Sequence, residues 1–350
     1  MEARYDFASD NTAGLCPEAL QALVDANEGC CPSYGEDLHT ARATDMIRDL
    51  FETDCDVYFV FNGTAANSLA LASMCRSYHS VVCHEASHIE TDECGAPEFF
   101  SNGTKILVTS GPDGKLNLPG IERIILRRSD IHYPKPRVVS LAQPTELGRL
   151  YTAEETCEIA GLARFHGLHV HMDGARFANA AAVEGGSPAE LTWRAGVDVL
   201  CFGGIKPGIA LSEAVVFFDR KLSEEFDYRC KQGGQLAAKM RFSSAPWAVC
   251  LQDGIWLRNA EHANRAARLL AEKLDGVPGI EIAHPVAANA VFAVISPSVH
   301  ARLQKAGWRY YEFIGGTARL MTSWRTSEKD IASFVTSASG ECYAPRSKRR

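Results

Sequence analysis

At 350 residues the chain is long enough for a large buried core and two domains, and 46% hydrophobic with 23% charged residues is the balance of an ordinary globular protein. A net charge of −7 leaves no basic surface to hold nucleic acid or anionic lipid. No stretch approaches the about 20 consecutive apolar residues of a membrane span, and Met1-Glu2-Ala3-Arg4-Tyr5-Asp6 has no apolar signal core, so a cytoplasmic enzyme is expected.

The 12 cysteines are scattered without a Cys-x-x-Cys, and many fall in apolar runs, as Cys83, Cys201 and Cys250 do. They read as small hydrophobic fillers rather than a disulfide framework. The basic end, Arg346 to Arg350, reads as a solvated tail.

From about residue 40 to 220, short apolar runs alternate with helix-length segments. The runs are Val57 to Phe61, Val81 to Cys83, Lys105 to Val108, Arg137 to Leu141, Leu168 to Met172, Val197 to Phe202 and Ala214 to Phe218. Continuous rather than alternating hydrophobicity predicts strands buried on both faces, hence an α/β domain with a largely parallel sheet.

The composition changes near Trp247. A long helix is predicted over Trp256 to Leu274, stopping at Asp275-Gly276. Strand-like runs follow at Ile280 to Ile282, Ala290 to Ile295 and Ala318 to Met321. A helix is predicted over Ser298 to Lys305 and another from N-cap candidates Thr326-Ser327 to about Ser337. The expected division is an arm over 1–14, a large domain over 15–248, a small α+β domain over 249–340 and a tail over 341–350.

Two residues at the ends of buried strands carry the chemistry. Lys206 sits in Cys201-Phe202-Gly203-Gly204-Ile205-Lys206-Pro207-Gly208, and Asp173 ends the run before it, in His171-Met172-Asp173-Gly174-Ala175-Arg176. Pyridoxal phosphate needs such a pair, an amine for the Schiff base and a carboxylate to keep the pyridine nitrogen protonated. Either residue alone fits a surface-turn lysine or a helix-capping aspartate better than it fits this chemistry; the pair gains its force from the features upstream. Ligands of such sheets bind beyond the carboxyl ends of the strands, where Asn62, Asp173 and Lys206 all fall.

Asn62-Gly63-Thr64 opens a helix straight after a strand, which suits an anion cup for a cofactor phosphate or simply a structural turn. His88 suits stacking on a pyridine ring and proton transfer. The same segment, His84-Glu85-Ala86-Ser87-His88, also matches a zinc pattern that needs both histidines on one helical face. His169 and His171 share a strand face, as metal ligands or as packing groups. Arg319, in an apolar strand, suits capture of a substrate carboxylate or a surface ion pair.

Taken in order, these segments resemble the low-specificity L-threonine aldolases, in the β-eliminating-lyase branch of the fold-type I pyridoxal-phosphate enzymes. The likeness runs from Phe7-Ala8-Ser9-Asp10-Asn11-Thr12 to Thr326-Ser327-Glu328-Lys329-Asp330-Ile331. Its most specific pieces are Pro32 to Asp37, Asn62 to Asn67, Ser87-His88-Ile89 with Glu93 to Pro97, His171 to Phe177, Phe202-Gly203-Gly204 with Lys206, and Arg319 to Trp324.

The resemblance implies a large domain with a mostly parallel seven-stranded sheet plus a small C-terminal domain. It implies pyridoxal 5'-phosphate as cofactor, with Lys206 as the Schiff-base lysine, Asp173 on the pyridine nitrogen, His88 on the ring, and Gly63 and Thr64 on the phosphate. Ser9, Arg176 and Arg319 would orient the substrate carboxylate, Arg176 also reaching the cofactor. Tyr34 would lie at a subunit interface of a homotetramer, and Arg229 to Gln235 would approach a neighbour's phosphate.

Relatives usually carry threonine where Ile205 stands and asparagine where Pro207 stands. Glu146, in Gln143-Pro144-Thr145-Glu146, takes the place of a histidine in other branches. The implied reaction is reversible cleavage of L-threonine or L-allo-threonine, and related β-hydroxy-α-amino acids, to glycine and an aldehyde. His88, Glu146 or a water would take the hydroxyl proton. The alternatives are a related β-eliminating lyase or a phenylserine-type aldolase and, more distantly, a zinc hydrolase using His84 and His88.

Overall fold

A computed structural model describes residues 3–312 and 314–340 of the chain; the expected tail over 341–350 lies outside them. Seven strands form the main sheet: β1 (Asp56–Val60), β2 (His79–His84), β3 (Lys105–Thr109), β4 (Lys135–Ala142), β5 (His169–Gly174), β6 (Val199–Phe202) and β7 (Glu213–Phe217). Their order is β1-β7-β6-β5-β4-β2-β3. The pairs β2–β3, β2–β4, β4–β5 and β5–β6 are parallel, while β7 runs against both β6 and β1. Six strands therefore point the same way, and their carboxyl ends share one edge.

All seven apolar runs are strands, with no end moved by more than two residues. Every residue of β2, β6 and β7 is buried, as strands covered on both faces must be. The helix Gly63–Met74 is apolar nearly all round and buried from Ala65 to Ala72, so it lies inside the domain rather than on it. Below the carboxyl edge sits an aromatic cluster. Phe202, fully buried, meets Phe51 and Phe177 edge-on at 5.7 Å and Trp247 at 5.0 Å.

A second, antiparallel sheet holds β8 (Ile280–Ile282), β9 (Ala290–Ile295), β10 (Tyr311–Glu312) and β11 (Ala318–Met321) in the order β10-β11-β9-β8. The helices Pro297–Lys305 and Glu328–Ser339 accompany it, the latter capped by a Ser327–Asp330 capping box. The long helix Ile255–Leu274 serves both cores. Trp256 and Ala260 join the large cluster, while Ala267, Leu270 and Leu274 join the small one.

The amino-terminal arm belongs structurally with the far end of the chain. Phe7 packs 5.6 Å from Trp308 and 5.0 Å from Phe334, and its carbonyl accepts the Met321 amide at 2.9 Å. This places Ser9 and Asp10 between the small domain and the carboxyl edge of the main sheet. Among the described residues, no helix is long and apolar enough to cross a membrane.

Candidate active site

A cleft lies at the carboxyl edge, where β1, β2, β4, β5 and β6 each deliver one segment. Gly63 comes from the helix after β1 and His88 from the short helix after β2. Gln143 to Glu146 follow β4, Asp173 to Arg176 close β5, and Lys206 stands in the turn after β6. Its concavity and its convergent polar groups suit a small organic ligand.

Gly203 and Gly208 are needed for a reason the sequence did not reveal. A Cβ at Gly203 would stand 2.1 Å from the Ala175 carbonyl oxygen. One at Gly208, where φ is +73°, would stand 2.2 Å from the Trp324 indole nitrogen. The turn is squeezed between the end of β5 and the small domain, which fixes where Lys206 begins. Glu213, 3% exposed at the start of β7, accepts the Gly204 amide at 2.6 Å beneath the same turn. Burial pushes its carboxyl up to about 7 against the opposing pull of Lys206.

Asp173 is held as an anion. Burial alone would raise its pKa, but the charges of His88 and Lys206, the Ala175 amide at 3.0 Å and the Asn67 amide at 2.9 Å carry it below the ordinary aspartate value. His88 Nδ1 donates to Glu93 Oε1 at 2.8 Å, and that bond outweighs burial to raise the imidazole pKa.

At the other end of the cleft, Arg176 makes a two-pronged pair with Asp10, Nε to Oδ2 at 2.7 Å and Nη2 to Oδ1 at 3.0 Å. Asn289 adds a third donor to Asp10 at 3.1 Å. Arg176, Arg319 and Glu146 line one continuous hollow there, and burial and the neighbouring Arg176 charge lower the Arg319 pKa.

Of the residues singled out in the sequence, Gly63, His88, Glu146, Asp173, Arg176 and Lys206 meet in the cleft, and Arg319 adjoins it. Thr64 is half-buried in the first turn of the helix after β1, whose cap is Asn62 accepting the Ala65 amide at 2.8 Å. Ser9 caps the turn Asp10–Thr12 by accepting the Asn11 amide at 3.2 Å. Tyr34 lies elsewhere, exposed beside Lys231 and facing a separate hollow with Tyr58 and Met240.

Sequence reasoning assigned no role to Asn67, Glu93, Asp10 or Glu213. Asn67, Asp10 and Glu93 did stand inside quoted motifs, and a carboxylate five residues after His88 was the available signal for Glu93.

Residues 6–298 match the Beta-eliminating lyase family. The chain belongs to that family.

Within it, the chain is 60% identical over 321 residues to the low specificity L-threonine aldolase of Pseudomonas aeruginosa, covering 91% of this chain and 93% of that one. It is 58% identical over 326 residues to the enzyme of the same name from a Pseudomonas species, covering 93% and 94%. The solved threonine aldolase of Leishmania major superposes with a TM-score of 0.89 at 30% identity, covering 96% of this chain and 98% of that one.

These β-eliminating-lyase relatives give the zinc hydrolase alternative no support, and the geometry opposes it. His84 belongs to β2 and His88 to the following helix, so they do not share a helical face. His84 Nδ1 accepts the Ala86 amide at 3.0 Å, and its Nε2 lies 3.1 Å from the Gly111 backbone, so the ring is spent on structure. His171 is likewise structural. It lies inside the sheet between the Ser140 hydroxyl at 2.9 Å and the Cys201 thiol at 3.3 Å, and burial pushes its pKa down to about 4.

Proposed function

We propose that the chain cleaves L-threonine and L-allo-threonine, and related β-hydroxy-α-amino acids, reversibly to glycine and an aldehyde with pyridoxal 5'-phosphate as cofactor. The observation that carries this reading is the meeting of Lys206 with an ionised, buried Asp173 in one cleft at the carboxyl ends of β5 and β6. An amine and a permanently anionic acid around a slot walled by an imidazole fit the donor set this cofactor requires. When bound, the cofactor supplies an electron sink for the bond that breaks.

The chain's own residues account for the rest. Lys206 would hold the cofactor covalently, and Asp173 would keep a proton on its ring nitrogen. His88 would lie against the ring, and Gly63 and Thr64 would receive the phosphate at the helix start. Arg319, together with Ser9 and the Asp10-anchored Arg176, would bind the substrate carboxylate. That fixes which bond at Cα stands ready to break. His88 and Glu146 flank the space where a hydroxyl proton would leave.

Tyr34 points away from its own cleft, which suits a role in a neighbouring subunit's site within a cytoplasmic homotetramer. The expected arm, large and small domains fit this reading, with the substrate end of the cleft built where the arm and small domain meet the sheet.

The test is a titration of the purified apoprotein with the cofactor, followed by L-threonine. The expected result is one visible absorbing group per chain, dependent on Lys206, and release of acetaldehyde with glycine. A protein that takes up the cofactor but releases no aldehyde from L-threonine, L-allo-threonine or phenylserine would overturn the reading.

A further inference from the structure

An acid of the cleft wall and a buried acid behind it are joined by a single amide. Asn67 lies one turn into the helix Gly63–Met74 and is 2% exposed. Its Nδ2 donates to Asp173 Oδ2 at 2.9 Å and to Glu93 Oε1 at 2.8 Å. With carboxylate oxygens on both sides, the amide must present its nitrogen there, because the flipped group would set oxygen against two acids. The same Glu93 Oε1 also lies 2.8 Å from His88 Nδ1. Glu93 is 3% exposed, and its Oε2 has no hydrogen-bond partner among the described residues. The carboxylate therefore directs its bonding through one atom, onto His88 and Asn67.

An acceptor on one imidazole nitrogen decides which nitrogen keeps the proton. With Glu93 on Nδ1, the hydrogen stays on Nδ1 and Nε2 is left with its lone pair. We propose that Glu93 is a positioning residue for this site, holding His88 in the Nδ1–H form with Nε2 open as a proton acceptor, while Asn67 ties the pair to Asp173. This rests on the reading of His88 as a group that meets cofactor and substrate.

The charged groups facing His88 are Glu93 from its own segment, Asp173 from β5 and Glu146 from the loop after β4, with Lys206 in the same cleft. All three acids favour the imidazolium, and Glu93 contributes most, which agrees with the raised His88 pKa.

Glu93→Gln separates charge from geometry. An amide oxygen in place of Oε1 still accepts from both Asn67 and His88, so the Nδ1–H form survives while the negative charge goes. Histidine-selective ¹⁵N NMR on the holoenzyme, with His88 assigned by difference from His88→Asn, reads tautomer and titration without relying on turnover. In the native enzyme His88 is expected as the Nδ1–H form; an Nε2–H form there overturns the proposal with no variant required.

In Glu93→Gln the His88 midpoint should fall by roughly one pH unit or more. The acid limb of kcat/KM should move to lower pH with it, and the plateau should drop about tenfold as the base weakens. A folded Glu93→Gln enzyme with the native midpoint and native acid limb would show that Glu93 is only structural. Failure of the native enzyme to release aldehyde would instead strike the functional reading, leaving the NMR result to decide the role of Glu93.

Discussion

His171 and Asp173 stand two residues apart on one strand and one face, both buried, yet the protein treats them oppositely. His171 looks onto a hydroxyl and a thiol and is held neutral, its pKa pushed down to about 4 by burial. Asp173 looks onto Lys206, His88 and two amide donors and stays ionised despite its burial. Burial by itself discharges a group; partners at the edge of the sheet keep it charged. The sheet interior is thus a place for structure, and its carboxyl edge, two residues further along the same strand, is a place for chemistry.

The sharpest break of that contrast is at Lys206. Lys206→Ala removes the amine, and aldehyde release from L-threonine should fall by at least about 10³-fold, with loss of the visible band of the bound cofactor. Next is Asp173→Asn, which removes the charge and sets an amide against the Asn67 amide. Turnover should fall roughly 10²–10³-fold and cofactor affinity should weaken. Steady-state kinetics and a cofactor titration measure both.

The interior side is tested through pH. His171 binds its proton at about 6.5 unfolded and about 4 folded, so its neutral burial favours folding above 6.5. That contribution, about 3 kcal/mol, is lost as pH falls from 6.5 to 4. The stability difference between native protein and His171→Asn, followed by denaturant unfolding, should shrink by that amount over this window. An unchanged difference would mean His171 is not buried neutral.

Glu213 has the opposite sign. Its folded value of about 7 exceeds the ordinary 4.5, so keeping it ionised opposes folding above pH 7. Glu213→Gln should gain on the native protein by up to about 3 kcal/mol as pH rises from 4.5 to 7. The smallest expected effect is Thr64→Ala. It should cost a few-fold in cofactor affinity and leave the pH dependence of stability unchanged, because the group is half-buried and uncharged.

Much of this was legible in the chain. The seven apolar runs are strands because residues covered on both faces must be apolar throughout, and that signal is local. The Lys206–Asp173 pair was readable because each follows such a run, and strand ends in this fold converge on one edge. The close packing of the glycine turn against Ala175 and Trp324 was not readable, since it depends on segments distant in sequence. Nor was the pairing of Asp10 with Arg176 across 166 residues, or the bridging of Asp173 and Glu93 by Asn67. Hydrogen-bond partners are set by three-dimensional proximity, which periodicity does not encode. His84 misled for the same reason, its pattern of residues matching a metal motif while its ring was taken by Gly111.

By itself the sequence determined the alternation of buried strands and helices, the order of the chemical groups along the strand ends and the character of the small domain, because each depends on the side chains of a short segment. Only the tertiary structure decided which buried groups are charged and which are neutral, that Asp10 near the amino terminus anchors Arg176 of the cleft, and that Glu93 stands behind His88. Those outcomes depend on which distant atoms share a few ångströms of low-dielectric space, where one partner more or less decides whether a charge survives.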